Sequence, residues 1–293
     1  MRRREQWTAW LFLSPSLIGF SLFLAFPILF SLILAFSEWD LISGFNNIRF
    51  IGLDNFFELF QSDVFYSSLK NNVLFTLIVV PGTMIISLLI AMVLNSYVYA
   101  PGILRLAFFM PYITTIVAVS IVWLALFHPS LGPVNQFLAL LGVENLPQWL
   151  ASPLYALPTI SLMMIWVGMG FDLVVYMAAL KGVPRHLLEA AEIDGATGFR
   201  KFLHITLPLI SPATFFLLIT RIIASFEVFG PINIMTAGGP GKSSSVLVYE
   251  LYEQAFRFYR MGYGSAIAWV LFALIFAITI LQWVGQKKWV TYS

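Results

Sequence analysis

No cysteine occurs anywhere in the 293 residues, which removes disulfide frameworks, thiolate metal sites and cysteine nucleophiles together. Charge is scarce as well. Asp, Glu, Lys and Arg make up 10% of the chain, against about 25% in soluble domains. The three histidines, His128, His186 and His204, are scattered and form no H-E-x-x-H pair, so metal chemistry has no support. No serine occupies a G-x-S-x-G elbow. Gly168-Met169-Gly170 lacks the third glycine of a dinucleotide fingerprint, and residues 236–243 end like a phosphate loop but begin with Thr236 where that loop requires glycine. The formal net charge is only +2, and no long basic run offers a surface to nucleic acid. The chain is therefore expected to hold no catalytic residues, metal or cofactor, and anything it moves uphill must be driven from elsewhere.

What is abundant is apolar surface. Sixty per cent of residues are hydrophobic, including 28 Phe, 11 Tyr and 9 Trp, and mean hydropathy is +0.88. So many aromatics exclude disorder, and a soluble sphere of this size has too little interior to hide them. A bilayer-spanning helix needs about 20 apolar residues. Six stretches qualify, at residues 10–36, 72–94, 106–127, 155–180, 207–229 and 263–284. The first follows Met1-Arg2-Arg3-Arg4 in the manner of a signal peptide. Its apolar region, however, outruns the roughly 7–15 residues of a cleavable signal and has no A-x-A site behind it, so it reads as a retained span. Pro15, Pro27, Pro81, Pro111, Pro158 and Pro212 fall in or near spans, where neighbouring helices can satisfy the freed carbonyls. The expected fold is an all-α polytopic membrane protein, one domain over residues 1–293.

Basic residues orient it. With the N-terminus inside, the inner segments hold Arg2, Arg3, Arg4, Arg105, Lys181, Arg185, Arg200, Lys201, Lys287 and Lys288, and the outer segments hold Arg49, Lys70, Lys242, Arg257 and Arg260. Ten against five predicts that both termini are cytoplasmic. In the first outer loop, Leu53, Phe56, Phe57, Phe60 and Val64 recur at helical spacing behind Asp54 as N-cap. This predicts an amphipathic helix at the outer membrane surface, which either caps the fold or docks a partner.

The inner loop 181–207 does not read as a linker. Pro184 suits the first turn of a helix and Gly195 the residue just past its end. Arg185 and Glu189 are spaced to pair, worth about 0.2–0.5 kcal/mol, with Leu187, Leu188 and Ala191 on the other face. Phe199, Phe202, Leu203 and Leu207 begin a second short helix after Thr197 as cap. A hydrophobic, sharply punctuated pair of helices outside the membrane must be covered, either by interfacial lipid or by a partner protein.

On these residues the chain resembles a known family. Glu189-Ala190-Ala191, Asp194-Gly195-Ala196 and Ile205-Thr206-Leu207-Pro208 match the EAA loop of ABC importer permeases, and Pro212 follows where the family favours proline. Residues 50–56, 236–240 and 255–264 are similar to the carbohydrate branch, which includes the maltose and glycerol-3-phosphate importers. The resemblance implies a type I, MetI-like architecture of six transmembrane helices in a bacterial or archaeal cytoplasmic membrane. It further implies that Leu187, Leu188, Glu189, Ala190, Ala191, Asp194 and Gly195 form a coupling helix seated in a cytoplasmic ATPase. The implied partners are a second, homologous permease in a heterodimer, two ATPase subunits that bind the ATP and Mg, and an extracytoplasmic solute-binding protein. The solute would be a sugar, oligosaccharide or related polyol. The chain departs from the maltose permease in lacking two N-terminal spans and a large periplasmic insert.

Asp172, Arg221 and Glu227 are the ionisable residues inside the expected spans. Each costs about 2.5–3.5 kcal/mol near a helix centre, so none should face lipid. Two readings stand side by side: a structural Asp172–Arg221 pair, or a polar pocket for a hydroxyl-rich or charged solute. Resemblance to the maltose permease places its sugar site at positions matching Met164, Gly168 and Phe171 on the fourth span and Arg221 and Ser225 on the fifth. Phe171 or Phe229 would stack on a sugar ring, and Glu227 and Asn233 would exchange hydrogen bonds with it. An ion-coupled secondary transporter is the alternative, although no internal repeat supports it.

Overall fold

The computed structural model describes residues 2–96 and 101–291; Met1 and residues 97–100, 292 and 293 lie outside them. Among the described residues, five helices are long and apolar enough to cross a bilayer: Gln6–Ala35, Asp63–Asn95, Ala156–Lys181, Ser211–Met235 and Met261–Lys288. A sixth crossing arises if Gly102–Ile113 and Ile116–Leu126 are taken together, although these two are bent by 96° at their junction. They are numbered below as spans one to six in chain order. The continuous third span expected over residues 106–127 is thus two half-helices. Pro111 withholds a backbone donor, the Thr114 hydroxyl donates back to the Met110 carbonyl at 2.9 Å, and Thr115 takes extended angles, φ −60° and ψ 131°. Each of these bends or ends a helix, and none leaves a mark in hydropathy.

The chain folds as two compact units, one built from Met1–Phe65 with Glu250–Phe272 and the other from Tyr66–Tyr249 with Ala273–Ser293. In the first unit, span one widens into a π-helical turn at Ser21–Ala25, just before Pro27. Only 6% of its most apolar stretch is buried, so its side chains point at whatever surrounds the protein. Two short strands follow, β1 (Ser37–Glu38) and β2 (Arg49–Phe50), paired antiparallel with Ser37 opposite Phe50 and Glu38 opposite Arg49. The amphipathic helix is Asp54–Gln61, shorter than expected. Leu53 is its N-cap, without a side-chain cap bond, and Asp54 is the first helical residue, where its charge meets the positive end of the helix instead of capping it. Ser62 breaks the chain, and Val64 belongs to the helix beginning at Asp63. Asn55 is buried and its amide donates to the carbonyls of Ala35 and Ser37, both at 3.0 Å, while Phe57 and Phe60 stay exposed.

The second unit is organised around span four, 61% of whose most apolar stretch is buried. Leu173, Tyr176 and Met177 of this span pack with Val80 and Met84 of span two and Leu217 of span five. Gly170 permits a close crossing: a Cβ there would run into the Phe108 carbonyl of span three. Span five begins at Ser211, later than the expected 207, because the backbone first passes through a π-helical stretch at Phe202–Thr206 and a break at Ile210.

Candidate functional site

The second unit places Asp172 and Arg221 in direct contact. Asp172 Oδ1 accepts from Arg221 Nε at 2.8 Å and lies 2.6 Å from Nη2. Nη2 also donates to the Gly168 carbonyl at 2.7 Å, one helical turn earlier on span four. The carboxylate is fully buried and the guanidinium 14% exposed. The structural pair therefore forms, and it pins the Arg221 guanidinium against span four with its charge balanced by Asp172. Asp172 Oδ2 and the Thr83 hydroxyl are both buried without a hydrogen-bond partner among the described residues. Arg221 Cζ also sits 5.7 Å from the Phe171 ring centroid, and that ring stacks on Tyr112 at 5.3 Å. Gly168, Phe171, Asp172 and Arg221 thus converge, with half-buried Met164 one turn before Gly168.

The other expected pathway residues, Ser225, Glu227, Phe229 and Asn233, follow Arg221 along span five. Ser225 is buried; its hydroxyl donates to the Ile222 carbonyl at 2.7 Å and lies 2.8 Å from the Thr76 hydroxyl. Its carbonyl accepts from the Asn72 amide at 3.2 Å, and Asn72 Oδ1 in turn accepts from the Leu247 N–H at 3.1 Å. Ser225 is one link of a polar staple between spans two and five, a role that sequence reasoning missed because Asn72 and Thr76 sit far away in the chain. Glu227 is exposed and sits one residue past Phe226, at the break in span five between the helices Ser211–Phe226 and Gly230–Met235. Phe229 stacks on Tyr249, with ring centroids 6.3 Å apart. Asn233 is half-buried, its N–H bonded to the Phe229 carbonyl at 2.9 Å.

The loop 181–207 forms the expected helix, with Pro184 just outside its first turn. A helix runs Arg185–Ile193 behind Pro184 as N-cap. Its end is a Schellman turn: the Ala196 N–H reaches the Ala191 carbonyl at 2.9 Å, and the Gly195 N–H reaches the Glu192 carbonyl at 3.0 Å. Gly195 holds φ +76°, and Asp194 is the C-cap. Thr197 caps the next short helix, Gly198–Lys201, by accepting from the Arg200 N–H at 3.4 Å. The expected Arg185–Glu189 pair is replaced by Glu192–Lys201, 3.4 Å apart, which ties the two helices together. Leu187 and Leu188 also part company: Leu188 packs against the core of the unit, whereas Leu187 is exposed. Glu189 and Ala190 are exposed and Ala191 is half-buried.

The first unit contains a polar cavity of about 720 Å3, lined in part by Glu38, Asp40, Arg49, Asp54, Glu58 and Arg260. Arg260 Nη2 donates to both oxygens of Glu58, at 2.7 and 2.6 Å, and its guanidinium lies 4.4 Å from the Tyr263 ring centroid. The Glu58 carboxylate holds the Arg260 pKa above its ordinary value. Backbone donors from Ser43 and Ile42, together with the Ser43 side chain, hold Asp40 below the usual carboxylate range. These partners are 202 residues apart in the chain, so no local pattern announces the cavity.

Comparisons with known proteins agree on one family. Residues 88–289 match the family described as binding-protein-dependent transport system inner membrane component. The "Probable ABC transporter permease protein YesP" of Bacillus subtilis is 36% identical, covering 99% of this chain and 94% of that protein. The sulfoquinovosyl glycerol transport system permease protein SmoG of Agrobacterium fabrum is 34% identical, covering 95% and 93%. Among solved structures, one chain of a bacterial alginate ABC transporter, in complex with alginate pentasaccharide-bound periplasmic protein, superposes with a TM-score of 0.83. That chain is 26% identical, and the match covers 97% of this chain and 96% of that one.

Proposed function

Since this chain belongs to the family of binding-protein-dependent transport system inner membrane components, we propose that it is a permease subunit of an ATP-driven importer for a sugar, oligosaccharide or related polyol. It resides in the cytoplasmic membrane with both termini inside. Its partners are a second, homologous permease, two cytoplasmic ATPase subunits that carry ATP and Mg, and an extracytoplasmic solute-binding protein. It is a transport subunit and not an enzyme. The observation that carries this reading is the Schellman-capped helix Arg185–Ile193 with Glu189-Ala190-Ala191 on it, inside the matched stretch.

The packing supports a mechanical route from that helix to the bilayer. Leu188 and Val183 belong to the same core as Leu180, Tyr176 and Leu173 of span four. When two ATPases close around ATP, a short helix ended by its Schellman turn and seated on one of them is carried along. Span four must follow, because a packed core deforms little. Eight residues up that span from Leu180, or about 12 Å at 1.5 Å per residue, Asp172 holds Arg221 of span five. Gly168, Phe171, Asp172 and Arg221 then line the solute path. Phe171 offers a face for a sugar ring, and the pinned guanidinium offers its remaining N–H groups to hydroxyls.

The test is reconstitution of the whole complex in liposomes, with ATP hydrolysis and uptake screened across disaccharides, uronate-containing oligosaccharides and glycerol phosphate. Stimulation by one of these through its loaded binding protein is expected. Uptake by this chain alone, driven by an ion gradient without ATP, would replace the reading with a secondary transporter.

A further inference from the structure

The helix Arg185–Ile193 has two faces that its sequence alone does not sort. Leu188 and Ala191, three residues apart, turn inward; Leu188 packs on the core, and Ala191 is half-buried. Glu189, Ala190 and Ile193 turn outward, and Ile193 is 88% exposed, the largest exposure of any big apolar side chain in the described chain. Glu189 and Ile193 are four residues apart and so lie on one helical face. Ile193 is held there by structure. It is the last helical residue, and the Schellman turn at Gly195 and the Glu192–Lys201 pair fix the chain behind it.

From this geometry we infer that Ile193 is the apolar anchor by which the loop grips its ATPase, and that Leu188 is not part of that contact. This rests on the coupling role proposed above and goes beyond it, since the sequence reading took Leu187 and Leu188 as the apolar part of a contact shared with Glu189, Ala190, Ala191, Asp194 and Gly195. A β-branched side chain on a helix has little χ1 freedom to begin with and so loses less than a straight-chain residue on docking. Charge decides between the two covers available to it. Ile193 stands between the exposed carboxylates of Glu189 and Asp194, with Glu192 already balanced by Lys201, and the inner leaflet carries a negative surface potential that repels those two acids. Lipid is thus the wrong cover. The fitting partner surface is an apolar hollow rimmed by Lys and Arg, so that the hollow takes the isoleucine and the rim meets the acids.

The experiment titrates the cognate ATPase onto the full permease pair in nanodiscs. Ile193→Ser should weaken association at least tenfold, while Ile193→Leu retains it. Neither change should alter the melting temperature of the permease, because an 88% exposed side chain holds nothing in the fold. Leu188→Ala should do the reverse, lowering the melting temperature with affinity nearly unchanged. The chain has no cysteine, so Ile193→Cys can carry an environment-sensitive dye. Its emission should move to the blue on adding ATPase and stay put when the disc lipid is switched to phosphatidylglycerol. Unchanged affinity in Ile193→Ser, or a blue shift from lipid alone, overturns the inference. If Glu189→Lys and Gly195→Val also bind ATPase like the wild type, it is the coupling reading itself that has failed.

Discussion

Replacing Gly195 tests the proposed coupling helix through its backbone alone. The residue holds φ +76°, and a Cβ built there meets no atom within 4 Å, so no side-chain clash contributes. The cost is purely that of holding an L-residue in the left-handed region, about 1–2 kcal/mol, with β-branched residues at the upper end. One to two kcal/mol lowers the population of the capped turn about 5–30-fold. Asn tolerates this region better than other side chains, so loss of ATP-driven uptake should rise in the order Asn, Ala, Val. Gly195→Pro should be worse still, because the ring fixes φ near −65° and removes the N–H that now reaches the Glu192 carbonyl at 3.0 Å. The assay is uptake by the reconstituted complex, with insertion of the spans checked by expression in the membrane. Wild-type uptake by Gly195→Val would refute the reasoning. So would an Asn variant as damaged as the Val one, since that would locate the effect in the partner's surface and not in this backbone.

Four further outcomes are expected. Asp172→Ala should cost about 3–5 kcal/mol, as is usual when one member of a buried pair is removed; a double-mutant cycle with Arg221→Ala, read by complex melting, should show strong coupling, and additive losses would deny the pair any energetic role. Gly170→Ala should destabilise by about 1–3 kcal/mol through overpacking against the Phe108 backbone, and an unchanged melting temperature would count against the close crossing. Thr197→Cys should resist membrane-impermeant thiol reagents in whole cells and react in inverted vesicles, and labelling in intact cells would reverse the proposed orientation. Asp40, with its carboxyl held below the ordinary 3.8, binds a proton less readily folded than unfolded, so its support of the turn at Ile42 and Ser43 is full above that pH and lost as pH falls through the lowered value. Asp40→Asn should therefore abolish any acid transition of that loop seen by nuclear magnetic resonance, and a transition persisting in the variant would assign it to another group.

The loop 181–207 was the most legible part of the chain because its structure is local. Pro184, Gly195 and Thr197 act on backbone groups within a few residues, so spacing alone located the helix, its end and the next cap. The proposed solute region was legible only in part. Asp172 and Arg221 announced themselves as charges that lipid cannot accept, yet whether they meet depends on how spans four and five are turned. Ser225 shows the limit: only packing reveals that its hydroxyl lies against that of Thr76 and that its carbonyl accepts from Asn72.

Composition and periodicity by themselves determined that this chain spans a membrane, roughly where it does so, and which loop carries the punctuated helix. These follow from free energies counted residue by residue: apolar transfer along a span, and backbone propensity at caps. Tertiary structure alone decided the 96° break in span three, the polar cavity closed by Glu58 and Arg260 across 202 residues, and the parting of Leu188 from Ile193. Each of these depends on which face of one segment meets another, and that is settled by packing between residues far apart in the chain, where a local pattern holds no information.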